Sequence, residues 1–441
     1  MDSNPEQRTK VRRIRSRSSG HSRTAAGILA FGLAGILVVA VLSISVADNW
    51  PVFAISALLF LLALYTALLV WRRMLPLETA PVLLPLVLAT IWGAAQYWSG
   101  RTIYRYVTEM RTIELGASVC VFWIALEALA SSKIRARFRQ GTVAIGAIIS
   151  VIAIAQRFTA QGKILWLFQS PWSNEPIGPF LNRDYYCAFI ELLLPMALWK
   201  ALGNSSGSVL PNALAAAAMY ASVITSASRA GAILATLEVG AILMFTFARS
   251  KRPLNWGLVG LRLVACLLVA SAVVGWDILL SRFEEKTPFA VRAEFFKASV
   301  RMVRERPMDG FGLGTWPLVY PSFAVFDAGA WVNHAHDDWA EWAAEGGIPF
   351  LLLLLIVAAR GAWLGFRYPP LIGIVFTAIH ACVDFPLQKF PIWLTFLTLI
   401  ALGEARMRRP DDRHRQRRRR STPVEPESAR RSASESPEST A

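Results

Sequence analysis

Twelve apolar stretches, each close to the roughly 20 residues that a helix needs to cross a bilayer, constrain this chain more than any other feature. They fall near 25–47, 51–71, 80–98, 111–131, 141–157, 185–202, 211–227, 229–248, 256–275, 347–366, 370–386 and 390–405. Backbone amides and carbonyls inside lipid must be paired within the chain, so these stretches are expected to be helices. None alternates apolar and polar residues as a barrel strand does. The expected fold class is all-α, a polytopic membrane protein with about 12 transmembrane helices. The bulk composition agrees. Of 441 residues, 54% are hydrophobic and 17% charged, against about 45–50% and 25% in soluble domains. Such apolarity excludes disorder over most of the length. Four cysteines, all inside predicted spans and without metal-like spacing, exclude a disulfide scaffold and suggest small apolar fillers.

The net charge is +16, and its placement suggests an orientation. Residues 1–24 and 406–441 each carry a local +5 and lack apolar periodicity, so both are expected to be disordered basic tails. The run Arg417 to Arg420 suits RNA or, better, anionic lipid beside the membrane. The apolar stretch from Ala25 is too long for a secretory signal core, and no small-residue cleavage site stands out. Alternate connections hold Arg72 and Arg73; Lys133, Arg135, Arg137 and Arg139; Lys200; Arg249, Lys251 and Arg252; Arg360 and Arg367. By the positive-inside rule these connections and both termini are cytoplasmic, although Arg101, Arg105 and Arg111 weaken the contrast. Spans one to nine then occupy 25–275, a long external loop 276–346, and spans ten to twelve 347–405.

Chemistry concentrates in that loop. From Phe289 to Arg306 the pattern is that of an amphipathic helix. Phe296, Val300 and Val303 form an apolar stripe, widened by Phe295 and Met302; Lys297, Arg301 and Arg304 form a basic one. This suits a helix at the membrane surface, with Arg292 on the apolar side having to snorkel or to find an anionic partner. After Pro307 come Gly310, Gly312 and Gly314, either a structural turn or a backbone cradle for a diphosphate. Two of the five histidines, His334 and His336, lie within three residues, ahead of Asp337 and Asp338. Asp338 with Glu341 reads as a capping box that starts a helix. An imidazole there suits general base work; a structural role and metal ligation with a carboxylate are the alternatives. Arg183 and Arg229 stand at predicted outer helix ends, as interfacial anchors or as forks for a phosphate. His380 and Asp384 are expected to share one face of span eleven, either as a mutually hydrogen-bonded structural pair or as functional groups.

Four stretches together resemble the O-antigen ligase and polymerase superfamily of bacterial envelope glycosyltransferases, and the ligase family most of all. They are Gly178 to Asp184, Ser228 to Gly231, Arg292 through Pro307 to Trp316, and His334 to Asp338 leading to Ala344 to Gly347. His380 and Asp384-Phe385 also match, while Asp184, Asp337 and Phe295 or Phe296 depart from the family's usual residues. The resemblance covers roughly 25–405. It implies an inverting, metal-independent transfer on the periplasmic face of the inner membrane, with no cofactor. The implied donor is a glycan on undecaprenyl diphosphate, and the acceptor is lipid A-core or a growing polysaccharide. Membrane lipid is a further partner and nucleic acid is not. His336, then His334, fits the base; Arg229 and Arg292 fit the departing diphosphate. Arg183, Arg301, Arg304, Gly312, Gly314, Asp337 and Glu345 are the expected substrate contacts. A polymerase joining repeat units is the close alternative. A flippase is the remote one, since the ionisable residues gather in the outer loop and at helix ends rather than along a path through the spans.

Overall fold

The computed structural model describes residues 5–46, 49–169, 176–203, 206–249, 260, 290–327, 329 and 331–409. Helices α1 (Pro5–Leu42), α2 (Trp50–Trp71), α3 (Leu83–Ser99), α4 (Arg105–Ala128) and α5 (Ser132–Thr159) lead into α6 (Arg183–Ala201), α7 (Ser206–Thr225) and α8 (Arg229–Arg249). Then come α9 (Ala290–Glu305), the single turn α10 (Trp316–Val319), α11 (Asp338–Arg367), the short α12 (Gly373–His380) and α13 (Phe390–Arg408). A two-residue antiparallel pair, Lys163–Ile164 with Phe168–Gln169, is the only strand pairing among the described residues apart from an isolated bridge.

The chain is an all-α polytopic membrane protein. Six helices among the described residues are long and apolar enough to cross a membrane: Ser22–Leu42 of α1, then α2, α5, α8, α11 and α13. Their outward faces carry large apolar side chains, among them Phe31, Leu64, Phe247 and Leu352, as expected of surfaces solvated by lipid tails. Trp50, Trp71 and Trp98 stand exposed at helix ends, where an aromatic belt belongs. Helices occupy eleven of the twelve predicted stretches; 256–275, with Cys266, lies outside the described residues except for residue 260, as do 276–289 of the loop. α1 begins within the stretch read as a basic tail, and α13 extends three residues into the other.

Stretch 370–386 departs from expectation. Its helix α12 has eight residues, flanked by 3-10 turns at Pro369–Leu371 and Pro386–Gln388. The backbone here lies on α6 so closely that a Cβ at Gly373 would strike the Glu191 carbonyl. α6 and α13 form the interior: nearly every residue of 186–198 and 390–405 is buried. α6 packs on α7, α8 and α12, and α13 on α4.

Two arginines read as topological signals serve packing. Arg135 is buried and donates to the carbonyls of Leu129, Ala130, Ala405 and Arg409. Arg360 grips the buried Glu404 through two bonds, Nε–Oε1 at 2.6 Å and Nη2–Oε2 at 3.1 Å, tying α11 to α13. Arg360→Ala leaves that carboxylate buried and unpaired, a loss of about 3–5 kcal/mol. The thermal midpoint in detergent is expected to fall sharply, and the double variant Arg360→Met with Glu404→Met to fall less.

Candidate active site

The long loop has a core of its own. The buried face of α9 is Phe295, Ala298, Ser299 and Met302, packed with Phe311, Trp316, Val319 and Tyr320. Trp316 Nε1 donates to Ser299 Oγ at 2.9 Å. The expected stripe is therefore turned: Phe296 is exposed, and with Val300, Val303, Trp339, Ala340 and Leu351 it lines an apolar recess of about 330 Å³ between α9 and α11. Arg304 and Asp337 also border that recess. Arg301 does not: its Nη2 donates to the Phe323 carbonyl at 2.8 Å and ties the loop together.

The glycine run is a turn pressed between helices. Gly310, Gly312 and Gly314 all have positive φ, and a Cβ on each would meet Glu345, Thr102 or Val107 respectively. Gln96 of α3 clips the turn, donating to the carbonyls of Asp309 (2.6 Å) and Glu345 (2.9 Å) and accepting from the Leu313 amide at 3.2 Å. The amides of Phe311 and Gly312 donate to the carbonyls of Ala344 and Glu345. The Glu345 carboxylate, itself buried, accepts from the Trp316 amide at 3.1 Å. Of the two readings of this motif the geometry favours the turn, and the acceptor on its amides is the protein's own Glu345. Gly312 and Gly314 thus shape the turn, and Glu345 braces it, where substrate contacts were expected. Gly312→Ala, strained in φ and crowded by Thr102, is expected to cost about 2–4 kcal/mol, read as a lower unfolding midpoint.

The start of α11 is also braced differently from expectation. Asp337 is the N-cap, accepting from the Ala340 amide at 2.9 Å, and burial pushes its carboxyl up to about 6. Asp338 is fully buried and holds the amides of Leu387 and Gln388 at 2.9 and 3.1 Å. Glu341 reaches back to the Ala335 amide and to His334 Nδ1, both at 2.7 Å.

This bracing separates the two histidines. His334 has Nδ1 on Glu341 and Nε2 3.3 Å from Lys389 Nζ, and it stacks on Phe385 at 4.0 Å. Both nitrogens are used inside the protein, so His334 is a brace, contrary to its expected place as second candidate base. Burial, then the nearby Lys389 and Arg111 cations, hold its pKa well below the ordinary 6.5. Protonation therefore favours the unfolded chain, and stability is lost as pH falls through that ordinary value. The contribution is up to about 1.4 kcal/mol per pH unit, and His334→Gln is expected to flatten that acid-side slope in thermal unfolding.

His336 has the left-handed φ of 54°, uncommon outside glycine and of the kind that clusters at functional sites. Its ring stacks near Phe295 and meets Phe385 edge-on. Nδ1 lies 3.1 Å from Asp384 Oδ1. A carboxylate only accepts, so Nδ1 carries a proton, and in the neutral ring the lone pair is on Nε2. The side chain is 25% exposed, against 1% for Asp384. Arg292 of α9 completes the group: Nη1 donates to the Val383 carbonyl at 2.8 Å, and Nη2 lies 3.4 Å from Asp184 Oδ2 and 3.7 Å from Asp384 Oδ2. This supplies the anionic partner that its position allowed for. Asp184 also accepts from Ser228 Oγ at 2.5 Å.

Arg183 and Arg229 each adjoin a member of this network, Asp184 and Ser228, as the first residues of α6 and α8, and both are half-buried. The expected His380–Asp384 pair is not made. His380 Nδ1 instead meets both oxygens of Glu191, at 2.9 and 3.0 Å, while Asp384 serves His336. Donor atoms of Asp184, His380 and Asp384 lie within 4.8 Å of one another, the one such group among the described residues, and the Arg292 guanidinium lies against both carboxylates. Sequence reasoning missed Glu191 and the bracing role of Lys389. The signal for Glu191 was present, an acidic residue in an apolar span.

The fold and site define a polytopic membrane protein whose histidine, arginine and carboxylates converge beside a structured loop. Residues 214–355 match a family model described as O-Antigen ligase. That stretch, about a third of the chain, runs from α7 through Arg229, Arg292 and His336 into α11, and the match supports a membrane enzyme of the O-antigen ligase or polymerase type. No curated protein matches the chain.

Proposed function

We propose that this protein is a glycosyltransferase of O-antigen ligase type. It moves a glycan from undecaprenyl diphosphate to an acceptor hydroxyl, with lipid A-core as the acceptor. The site sits on the periplasmic face of a bacterial inner membrane, in a chain with twelve spans and cytoplasmic termini. The observation that carries this reading is the imidazole of His336, fixed in one tautomer by Asp384, beside the guanidinium of Arg292.

In the reaction the acceptor oxygen attacks the anomeric carbon from the face opposite the leaving group. The carbon–oxygen bond to the diphosphate breaks, and the diphosphate leaves with the electron pair. The hydroxyl proton passes to His336 Nε2. Arg292 and Arg229 stabilise the charge that develops on the diphosphate, and Arg183 assists at the neighbouring helix end. Inversion follows from a single displacement, and no step calls on a metal ion or cofactor. The apolar recess under α9 suits a polyprenyl chain, with Arg304 at its edge.

The test is transfer in proteoliposomes from a purified lipid-diphosphate glycan, with and without chelator. His336→Ala, Arg292→Ala and Arg229→Ala are each expected to lower turnover by at least about 10²-fold at unchanged protein level. Asp384→Asn, which spoils the tautomer, is expected to lose about 10²–10⁴-fold. A wild-type protein without transfer activity, or full activity in His336→Ala, overturns the reading. Products that lengthen by repeat units, with no addition to lipid A-core, turn it to a polymerase.

A further inference from the structure

His380 and Glu191 have no part in the reaction so far, yet both are fully buried inside the bundle. Beside them lie two carboxylates, Asp184 nearly buried and Asp384 fully so. All other polar atoms of this group are committed. Asp184 Oδ1 is held by Ser228, Asp384 Oδ1 by His336 and the Phe385 amide, and His380 Nδ1 by Glu191. His380 Nε2 and Asp384 Oδ2 are left without a hydrogen-bond partner.

Two carboxylates this close, away from water, cannot both stay ionised without positive charge between or beside them. Arg292 meets both from the outside, but it is 31% exposed and is also the group that must face the donor's diphosphate. One guanidinium cannot neutralise the pair and grip a diphosphate at full strength in both tasks. A cation on the inner side removes the conflict, and His380, with Nδ1 on both oxygens of Glu191 and its ring within 4.8 Å of Asp184 and Asp384, is the group placed to carry that charge. The groups facing His380 are Asp184 and Glu191 on α6, Asp384 before α13 and, through Asp384, Arg292 on α9; Glu238 on α8 is buried and interacts electrostatically with Glu191.

We propose that His380, held by Glu191, is a positioning residue: it supplies the inner counter-charge of the Asp184–Asp384 pair and so frees Arg292 for the diphosphate of the lipid-linked donor. Asp384 then stays anionic, and keeps His336 in its working tautomer, when Arg292 turns to the donor. This rests on the glycosyl-transfer reading.

The experiment is steady-state transfer by the full chain in proteoliposomes, with donor KM and kcat measured separately, for H380Q, E191Q, D184N and the double variant H380Q/D184N. Without the inner charge the carboxylates hold Arg292 more tightly. H380Q is therefore expected to raise donor KM by about tenfold, the effect of one pKa unit of interaction, and to lower kcat as well. E191Q is expected to reproduce it. Removing one negative charge should compensate, so D184N is expected to restore most of the loss in the H380Q background while lowering activity in the wild type. Size-exclusion profiles check folding, and if H380Q does not yield a monodisperse protein, the isosteric E191Q carries the comparison with E191Q/D184N. Wild-type KM and kcat in H380Q, or no recovery by D184N, overturns the proposal. Wild-type activity lost to EDTA and restored by Mn²⁺ also overturns it, because a metal ion would then hold the carboxylates. Absence of transfer by the wild type sinks the functional reading instead. In that case farnesyl diphosphate binding, measured by thermophoresis, still reads the effect of His380 on Arg292.

Discussion

Asp384 is a carboxylate with almost no access to solvent, and a charge in that position survives only if partners surround it. Here they come from separate parts of the chain. His336 precedes α11, Arg292 belongs to the loop helix α9, and the Phe385 amide is its own neighbour. One buried oxygen pair thus fixes where the loop helix, the histidine segment and the turn before α13 meet. Because Arg292 also reaches Asp184, the start of α6 joins the same knot, and through Ser228 so does the turn before α8.

A second device works beside it. Asp338, Glu341 and Glu345 follow one another at helical spacing along the first two turns of α11, and all three are buried. Each holds a different segment by its amides: Leu387 and Gln388, Ala335, and Trp316. A row of buried acceptors at the start of a helix satisfies amides that burial would otherwise leave unpaired. The result is a rigid floor beneath His336, whose left-handed backbone needs surroundings that over-determine it. Gly347 then breaks the helix with φ 76°, and the following turns enter the span. An imidazole on a loop acquires in this way the placement of one on a helix.

The legible parts of this site were those governed by local pattern. Apolar length marked the helices, the period of α9 marked an amphipathic helix, and the position of Arg292 on an apolar side marked a cation that had to snorkel or be paired. The rotation of that helix was not legible, since Phe295 and Phe296 are equally apolar and only contact with Trp316 and Tyr320 decides which is buried. Nor could spacing separate His334 from His336. The difference lies in Lys389, some fifty residues away, which meets the second nitrogen of His334. His380 and Asp384 stood one helical turn apart and looked like a pair, but a helix ending at His380 turns Asp384 toward another partner.

What the sequence by itself determined is the solvent the chain requires and the elements it forms. Backbone polar groups in lipid must be paired locally, and hydrophobic length and charge placement are local quantities. The site was decided by tertiary structure alone. A buried carboxylate selects its cation by distance in space, and the residues that meet at Asp384 come from segments between α6 and α13. Ionic and hydrogen-bonded partners act across a few ångströms whatever their separation along the chain, so their pairing appears only when the helices are packed.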